Sequence, residues 1–200
     1  MADLAPWKPV GPLAGVAAPA PVAGAGLIAQ PLETLGLATV LARKGRREAL
    51  AAKVKTLYGL DLPIRPGRVA AGTASFVATG PGAWLAVSEA GPEGWAETLT
   101  AQLEGLASVS DQSDGYVAIR LEGPAVIDIL AKGVFLDLHP SVFPIGAAGG
   151  TTLAHMGVIL WRREGLAFDL LTFRSFAASL WHWLEESAAE YGLAVLPPAA

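Results

Sequence analysis

Carboxylates are the first residues to test for chemistry, and two lie close together in the turn Asp111-Gln112-Ser113-Asp114-Gly115. A carboxylate pair at that spacing is a candidate for general acid–base work. The same residue types also build turns, because Asx side chains bond their own backbone and glycine supplies the bend. The turn role is the commoner one for such a stretch. Asp169 sits inside the apolar run 167–173, so it reads as a buried carboxylate paired with Arg162, Arg163 or Arg174, a structural ion pair and not a catalytic acid. His139, His155 and His182 fall on different elements with no carboxylate at ligand spacing, so the pattern gives no metal site. With no cysteine there is no thiol nucleophile, thiolate metal site or disulfide. No Gly-x-Ser-x-Gly elbow and no Walker motif occur, and Gly24-Ala25-Gly26 lacks both the third glycine and the strand–turn–helix setting of a dinucleotide fingerprint. The residue types do not add up to a self-contained active site.

The bulk composition points towards partners. The 200 residues carry a net charge of −4, from 14 basic and 18 acidic residues, which is the wrong balance for a nucleic-acid partner. Apolar residues make up 52% and charged ones only 16%, against about 25% charged in ordinary soluble domains. Three windows, Pro9–Leu32, Val69–Ser88 and Leu138–Trp161, contain no Asp, Glu, Lys or Arg. Prolines and paired glycines interrupt each of them, so no unbroken apolar helix of ~20 residues is available to span a membrane. The start of the chain also lacks a compact apolar signal region. The expectation is a cytoplasmic chain whose apolar surface is covered by other proteins.

The elements that must position these residues follow from periodicity. The organising stretch is Val109–Gly133, where the polar turn leads into the alternating strand Tyr116–Leu121. Gly123-Pro124 then opens a helix that Gly133 ends. Before it, a β-rich run at Thr34–Ala42, a helix at Arg46–Tyr58, strands at Thr73–Ala78 and Ala83–Val87, a helix after Gly91-Pro92 and a short strand at Leu106–Val109 give β-α-β-β-α-β. After it the order repeats, with strands in Thr151–Trp161, Ala167–Phe173 and Leu193–Leu196 and the longest helix at Ser175–Tyr191. The predicted fold is α+β, two successive β-α-β-β-α-β ferredoxin-like halves over residues 31–110 and 111–200. Residues 1–30, rich in Ala, Gly and Pro, read as an extended arm.

Interface candidates come from large apolar side chains in unexpected places. Trp7, Leu27 and Ile28 are the anchors of an arm laid on another subunit. In the last helix the stripe of Phe176, Leu180, Trp183, Leu184 and Tyr191 is read as core, which leaves Trp181 off the stripe as a contact point with a partner. Trp161, beside Arg162-Arg163, and Trp84, after Gly80-Pro81-Gly82, are weaker candidates of the same kind.

The segments VSDQSDGYVAIRLEGPAVIDILAKGVFLDLHPSVFP (109–144) and FDLLTFRSFAASLWHWL (168–184), with Leu160-Trp161-Arg162 between them, resemble the gamma subunit family of heterotetrameric sarcosine oxidase. The resemblance spans roughly residues 30–192. The same stretch is distantly similar to the folate-binding aminomethyltransferase family. In that family an Asp-x-Ser-His turn precedes the strand and a Thr-Asn-Asp triplet follows the helix. Asp111 and Ser113 match the turn, but Asp114 stands where that family has histidine, and Lys132-Gly133-Val134 follows the helix, so the acidic residue used on folate is absent. The resemblance therefore implies the fold without folate chemistry. It further implies alpha, beta and delta partner subunits that hold FAD, FMN, NAD and tetrahydrofolate, with no cofactor in this chain. The implied reaction of the complex is oxidative demethylation of sarcosine to glycine, with hydrogen peroxide and methylenetetrahydrofolate. Dehydrogenases of other N-methyl amino acids have similar gamma chains and are the alternative setting. A stand-alone folate-binding enzyme of the aminomethyltransferase type is the rival, with Asp111 or Asp128 as its only nearby carboxylates.

Overall fold

The alternation at Tyr116–Glu122 is a central strand, and what surrounds it fixes the plan of the chain. The computed structural model describes residues 11–15 and 23–199. In chain order the strands are β1 (Leu27–Pro31), β2 (Gly36–Ala42), β3 (Arg68–Ala71), β4 (Ala74–Gly80), β5 (Ala83–Ser88), β6 (Ala107–Asp111), β7 (Tyr116–Glu122), β8 (Ala148–Leu153), β9 (Met156–Arg162), β10 (Ala167–Phe173) and β11 (Leu193–Val195). The α-helices are α1 (Arg47–Tyr58), α2 (Trp95–Gln102), α3 (Val126–Ala131) and α4 (Ala177–Ala188).

Two sheets result among the described residues, one wholly antiparallel and one mixed. One runs β3-β4-β5-β2-β6, so the first half places its unit strands in the ferredoxin-like order, with β3 added at the edge as a hairpin partner of β4. The other runs β11-β1-β7-β10-β9-β8. Here β1 stands between β7, which it pairs antiparallel, and β11, which it pairs parallel. The expected extended arm is thus corrected at its end: residues 27–30, with Pro31, are a strand of the second half's sheet. Leu27 and Ala29 alternate inward with Pro31, and Leu13 packs into the same core.

Helices cover one face of each sheet and the sheets pack against each other, giving four layers. In the first half Leu50 and Val54 of α1 and Leu99 of α2 pack on Val40, Phe76, Trp84 and Ala86. Gly59, at φ 70, ends α1 in the left-handed conformation that favours glycine. In the second half Val126, Ile129 and Leu130 of α3 and Leu180, Trp181 and Leu184 of α4 cover Val117, Ile119, Leu160 and Leu170. Between the sheets lie Leu37, Val77, Leu85 and Val87 from one side and Ala118, Trp161 and Leu171 from the other. Each leucine or valine among them is worth about 1.5–3 kcal/mol when fully buried. The two sheets are thereby held as one body.

Candidate functional site

The Asp111–Gly115 turn joins β6 to β7, and its polar groups are engaged with the chain itself. Asp111 Oδ1 accepts the Ser113 N–H at 2.9 Å and the Ser113 hydroxyl at 2.7 Å. Ser113 Oγ in turn accepts the Leu37 N–H at 3.1 Å, and the Gln112 N–H donates to the Leu37 carbonyl at 2.8 Å. The turn therefore fastens the end of β6 to the start of β2, the structural role that Asx chemistry favours. Asp114 is exposed and lines, with Ser113, Tyr116 and Arg174, a cleft of about 210 Å³. Asp128 is exposed on α3.

The histidines stay apart. His139 Nδ1 meets Ser141 Oγ at 2.7 Å in the loop before β8. His155, at φ 71, follows Ala154, at φ 46, in the two-residue turn between β8 and β9. His182 Nε2 lies 3.4 Å from Glu186 on α4. Among the described residues no group of three His, Asp or Glu side chains is placed to hold a metal ion.

A polar assembly between the sheets is centred on Asp169, which is 1% exposed. Its carboxylate accepts from Arg120 Nε at 2.8 Å and Arg120 Nη2 at 3.3 Å, from Trp161 Nε1 at 3.1 Å and from Arg163 Nη1 at 3.0 Å. Arg163 Nη1 also reaches Glu89 at 2.7 Å, and Glu89 accepts from Arg68 Nη2 at 3.3 Å. Arg68 lies over the Trp161 ring, 5.6 Å from its centroid, and donates Nε to Ser75 Oγ at 3.2 Å. Arg68 and Glu89 belong to the first half, Arg120, Arg163 and Asp169 to the second. The cluster is a set of ties across the sheet interface.

Burial and charge shift these groups together. Burial lowers the Arg68 guanidinium from its ordinary value, and the neighbouring Arg163 charge pushes the same way. Burial alone would raise Glu89, but the Arg163 hydrogen bond and the Arg163, Arg68 and Arg120 charges hold it below the usual carboxylate range. Burial would likewise lower Arg163, yet its bonds to Glu89 and Asp169 leave it raised. A carboxylate this fully engaged does not offer a free lone pair for proton transfer. What the cluster does chemically is to hold charge still.

Of the three arginines expected beside Asp169, Arg163 is there and Arg162 is not. Side chains alternate across a strand, so Trp161 and Arg163 face the other sheet while Arg162 turns the opposite way. Arg162 bonds the carbonyls of Phe143 at 3.1 Å and Gly165 at 3.2 Å and lies over the Phe168 ring. Arg174 begins the 3₁₀ turn after β10 and donates its N–H to Gly115 O at 2.9 Å. Arg120 was missed, although the sequence held a signal for it. It is the charged residue within the alternating run of β7, and antiparallel pairing sets it opposite Asp169.

The tryptophan readings change. Trp84, Trp161 and Trp181 are 1%, 1% and 2% exposed, so all three are buried within this chain. Trp84 donates to Pro63 O at 2.9 Å, and Trp161 lies between the sheets. The phase of α4 explains Trp181: the buried stripe runs through Ala177, Leu180, Trp181, Leu184 and Ala188, which turns Phe176 outward and leaves Trp183 half-buried against Gly133. Leu27 is buried in the second core and Ile28 is half-buried in β1. Trp7 lies outside the described residues. Among the described residues no helix is long and apolar enough to cross a membrane.

Comparisons with known proteins fit this arrangement. The family model for sarcosine oxidase, gamma subunit family, matches residues 44–190. A sarcosine oxidase subunit gamma from Corynebacterium sp. (strain U-96) is 35% identical over 164 residues, covering 80% of this chain and 77% of the relative. A chain of the heterotetrameric sarcosine oxidase from Corynebacterium sp. U-96, solved in complex with pyrrole 2-carboxylate, matches with a TM-score of 0.79 at 27% identity, covering 94% of this chain and 98% of that one. The glycine cleavage system aminomethyltransferase T of Bartonella henselae matches with a TM-score of 0.59 at 14% identity, over 87% of this chain and 48% of that one, which speaks to fold alone. The length matched and the identity over it place the chain in a family: it belongs to the gamma subunits of sarcosine oxidase.

Proposed function

We propose that the chain serves as the non-catalytic gamma subunit of a heterotetrameric sarcosine oxidase, beside alpha, beta and delta subunits that carry FAD, FMN, NAD and the tetrahydrofolate site. In this reading the complex works in the cytoplasm and demethylates sarcosine oxidatively to glycine. The observation that carries the proposal is the end-to-end match to a chain of a heterotetrameric sarcosine oxidase. The site geometry supports the non-catalytic part. Asp111 is bound to Ser113 and Asp169 to two arginines and a tryptophan, while Lys132-Gly133-Val134 supplies no carboxylate after α3. The residues present do not fit a folate site of the aminomethyltransferase kind.

The contribution to the complex is burial of apolar surface, worth about 25 cal/mol per Å² before the costs of association. Ile64, Phe135, Val142 and Ile145 are large apolar side chains left in the open. Co-expression of the tagged chain with the other oxidase subunits tests the proposal. Recovery of a yellow, flavin-bearing complex is expected, along with poor solubility of the chain expressed alone. A well-dispersed monomer that retains no flavoprotein contradicts it, and tight tetrahydrofolate binding abolished by Asp111→Ala promotes the rival enzyme.

A further inference from the structure

Strand β4, next to the edge of its sheet, and the edge strand β8 of the other flank a cleft of about 410 Å³, lined by Ala78–Gly80 of β4, Ala148–Gly150 of β8, and Leu136, Phe143, Ile64 and Arg65 from loops, with Arg47 at the start of α1. A second cleft of about 430 Å³ shares Arg47 and Ile64 with it. Ile64, between them, is 76% exposed, and the loop that supplies Leu136 and Phe143 also exposes Phe135 at 75%. Isolated apolar residues at a surface are ordinary; apolar residues around a formed cleft mark a contact site.

Charge distinguishes this corner from the rest of a chain whose net charge is −4. Arg43, Lys44, Arg46 and Arg47 occupy the β2–α1 turn and the first residue of α1, and Arg65 lines the cleft. All five are exposed, and none has a carboxylate partner among the described residues. Among the described residues Glu48 is the one acidic residue lining either cleft. Elsewhere Lys55, Arg68, Arg120, Lys132 and Arg163 are paired with acids, while Lys53 on α1 is exposed and has no carboxylate partner among the described residues.

We propose that this corner is a docking surface for another subunit of the oxidase, one that inserts an apolar side chain into the cleft beside Ile64 and sets carboxylates against Arg47 and Arg65. The inference rests on the chain being an oxidase subunit and adds which face is used and the chemistry it selects. Carboxylates complement five unpaired cations, and arginines beside an apolar anchor are the usual composition of an interface hot spot. A second copy in two-fold contact would bring the same cations against each other. A membrane surface is flat, whereas this feature is concave.

The test uses the full-length tagged chain co-expressed with the other oxidase subunits. Wild type is expected to retain the flavin-bearing subunits. Ile64→Asp, and separately Arg47→Glu with Arg65→Glu, should reduce retention by at least roughly tenfold, the scale of one interface anchor. The conservative Ile64→Val and Arg47→Lys with Arg65→Lys variants should keep it, as should Glu185→Lys on the exposed side of α4. Because these residues are exposed, the unassembled variants are expected to fold as the wild-type chain does, with soluble levels equal to those of the wild-type chain expressed without its partners. Full retention by both disruptive variants overturns the surface while leaving the subunit reading intact; no retention by wild type removes that reading and the surface with it. Loss of self-association, or of binding to anionic vesicles, with flavoprotein retention unchanged also overturns the proposal, in favour of a second copy or a lipid surface.

Discussion

The two halves of the molecule follow one plan and are completed differently. In the first, β6 closes directly on β2, so residues 36–111 form a whole sheet from contiguous chain. In the second, the place beside β7 belongs to β1, and β11 pairs one position further out. The second sheet therefore depends on a strand that precedes the first half in sequence. A cut between residues 110 and 111 would separate two similar patterns but not two independent bodies, because the interface cluster and β1 both cross it.

Removing residues 1–31 is expected to have the largest effect, since it takes Leu13, Leu27 and Ala29 from the second core and leaves β7 without a neighbour on that side. Hydrogen exchange should show β7 and β11 losing protection while β2 and β5 keep theirs. Equal loss in both halves would remove the contrast. Asp169→Asn comes next. It leaves Arg120 and Arg163 facing an uncharged amide in a buried site, at a cost of about 3–5 kcal/mol read by denaturant titration.

A smaller comparison uses two glycines that each precede a proline and open the path to a helix. Gly123, at φ 136, has the Gly26 carbonyl where a Cβ would stand, whereas Gly91, at φ 115, has no atom closer than 4.0 Å. Both alanine variants carry backbone strain of about 1–3 kcal/mol, and Gly123→Ala adds a clash with the Gly26 carbonyl just before β1, so it should melt lower than Gly91→Ala. The smallest effect is acid sensitivity through Glu89, whose native-state value lies below the ordinary 4.5. Its contribution is complete above that ordinary value and disappears as pH falls through the lowered one. Glu89→Gln should flatten this part of the stability–pH curve without altering the part above it; an unchanged acid limb would show that Glu89 does not couple the halves.

The order of strands and helices was legible because its periods are strong. The alternation at residues 116–121 and the Gly59 stop sit where the pattern put them, whereas α4 ends at Ala188, before a turn that leads to Gly192. The strand β1 was hidden by its setting, five residues ending in proline and preceded by glycine, with pairing supplied only by distant chain. Trp181 and Trp183 were exchanged because α4 starts at Ala177, after a 3₁₀ turn, and its buried stripe passes through residue 181. Asp169 was legible as a buried, paired carboxylate. Its partners were only partly so, since Arg120 requires the β7–β10 register and Glu89 requires the packing of one sheet on the other.

The proposed role is support of the complex by shape and contact, with no reacting group supplied by this chain. The direct measurement is turnover per flavin in oxidase assembled with the Asp111→Asn/Asp114→Asn chain, in which the amide at 111 can still accept from Ser113. The account predicts a rate within about twofold of wild type. A fall of about a hundredfold or more in a fully assembled, flavin-loaded complex, the scale of a lost general acid or base, would contradict it.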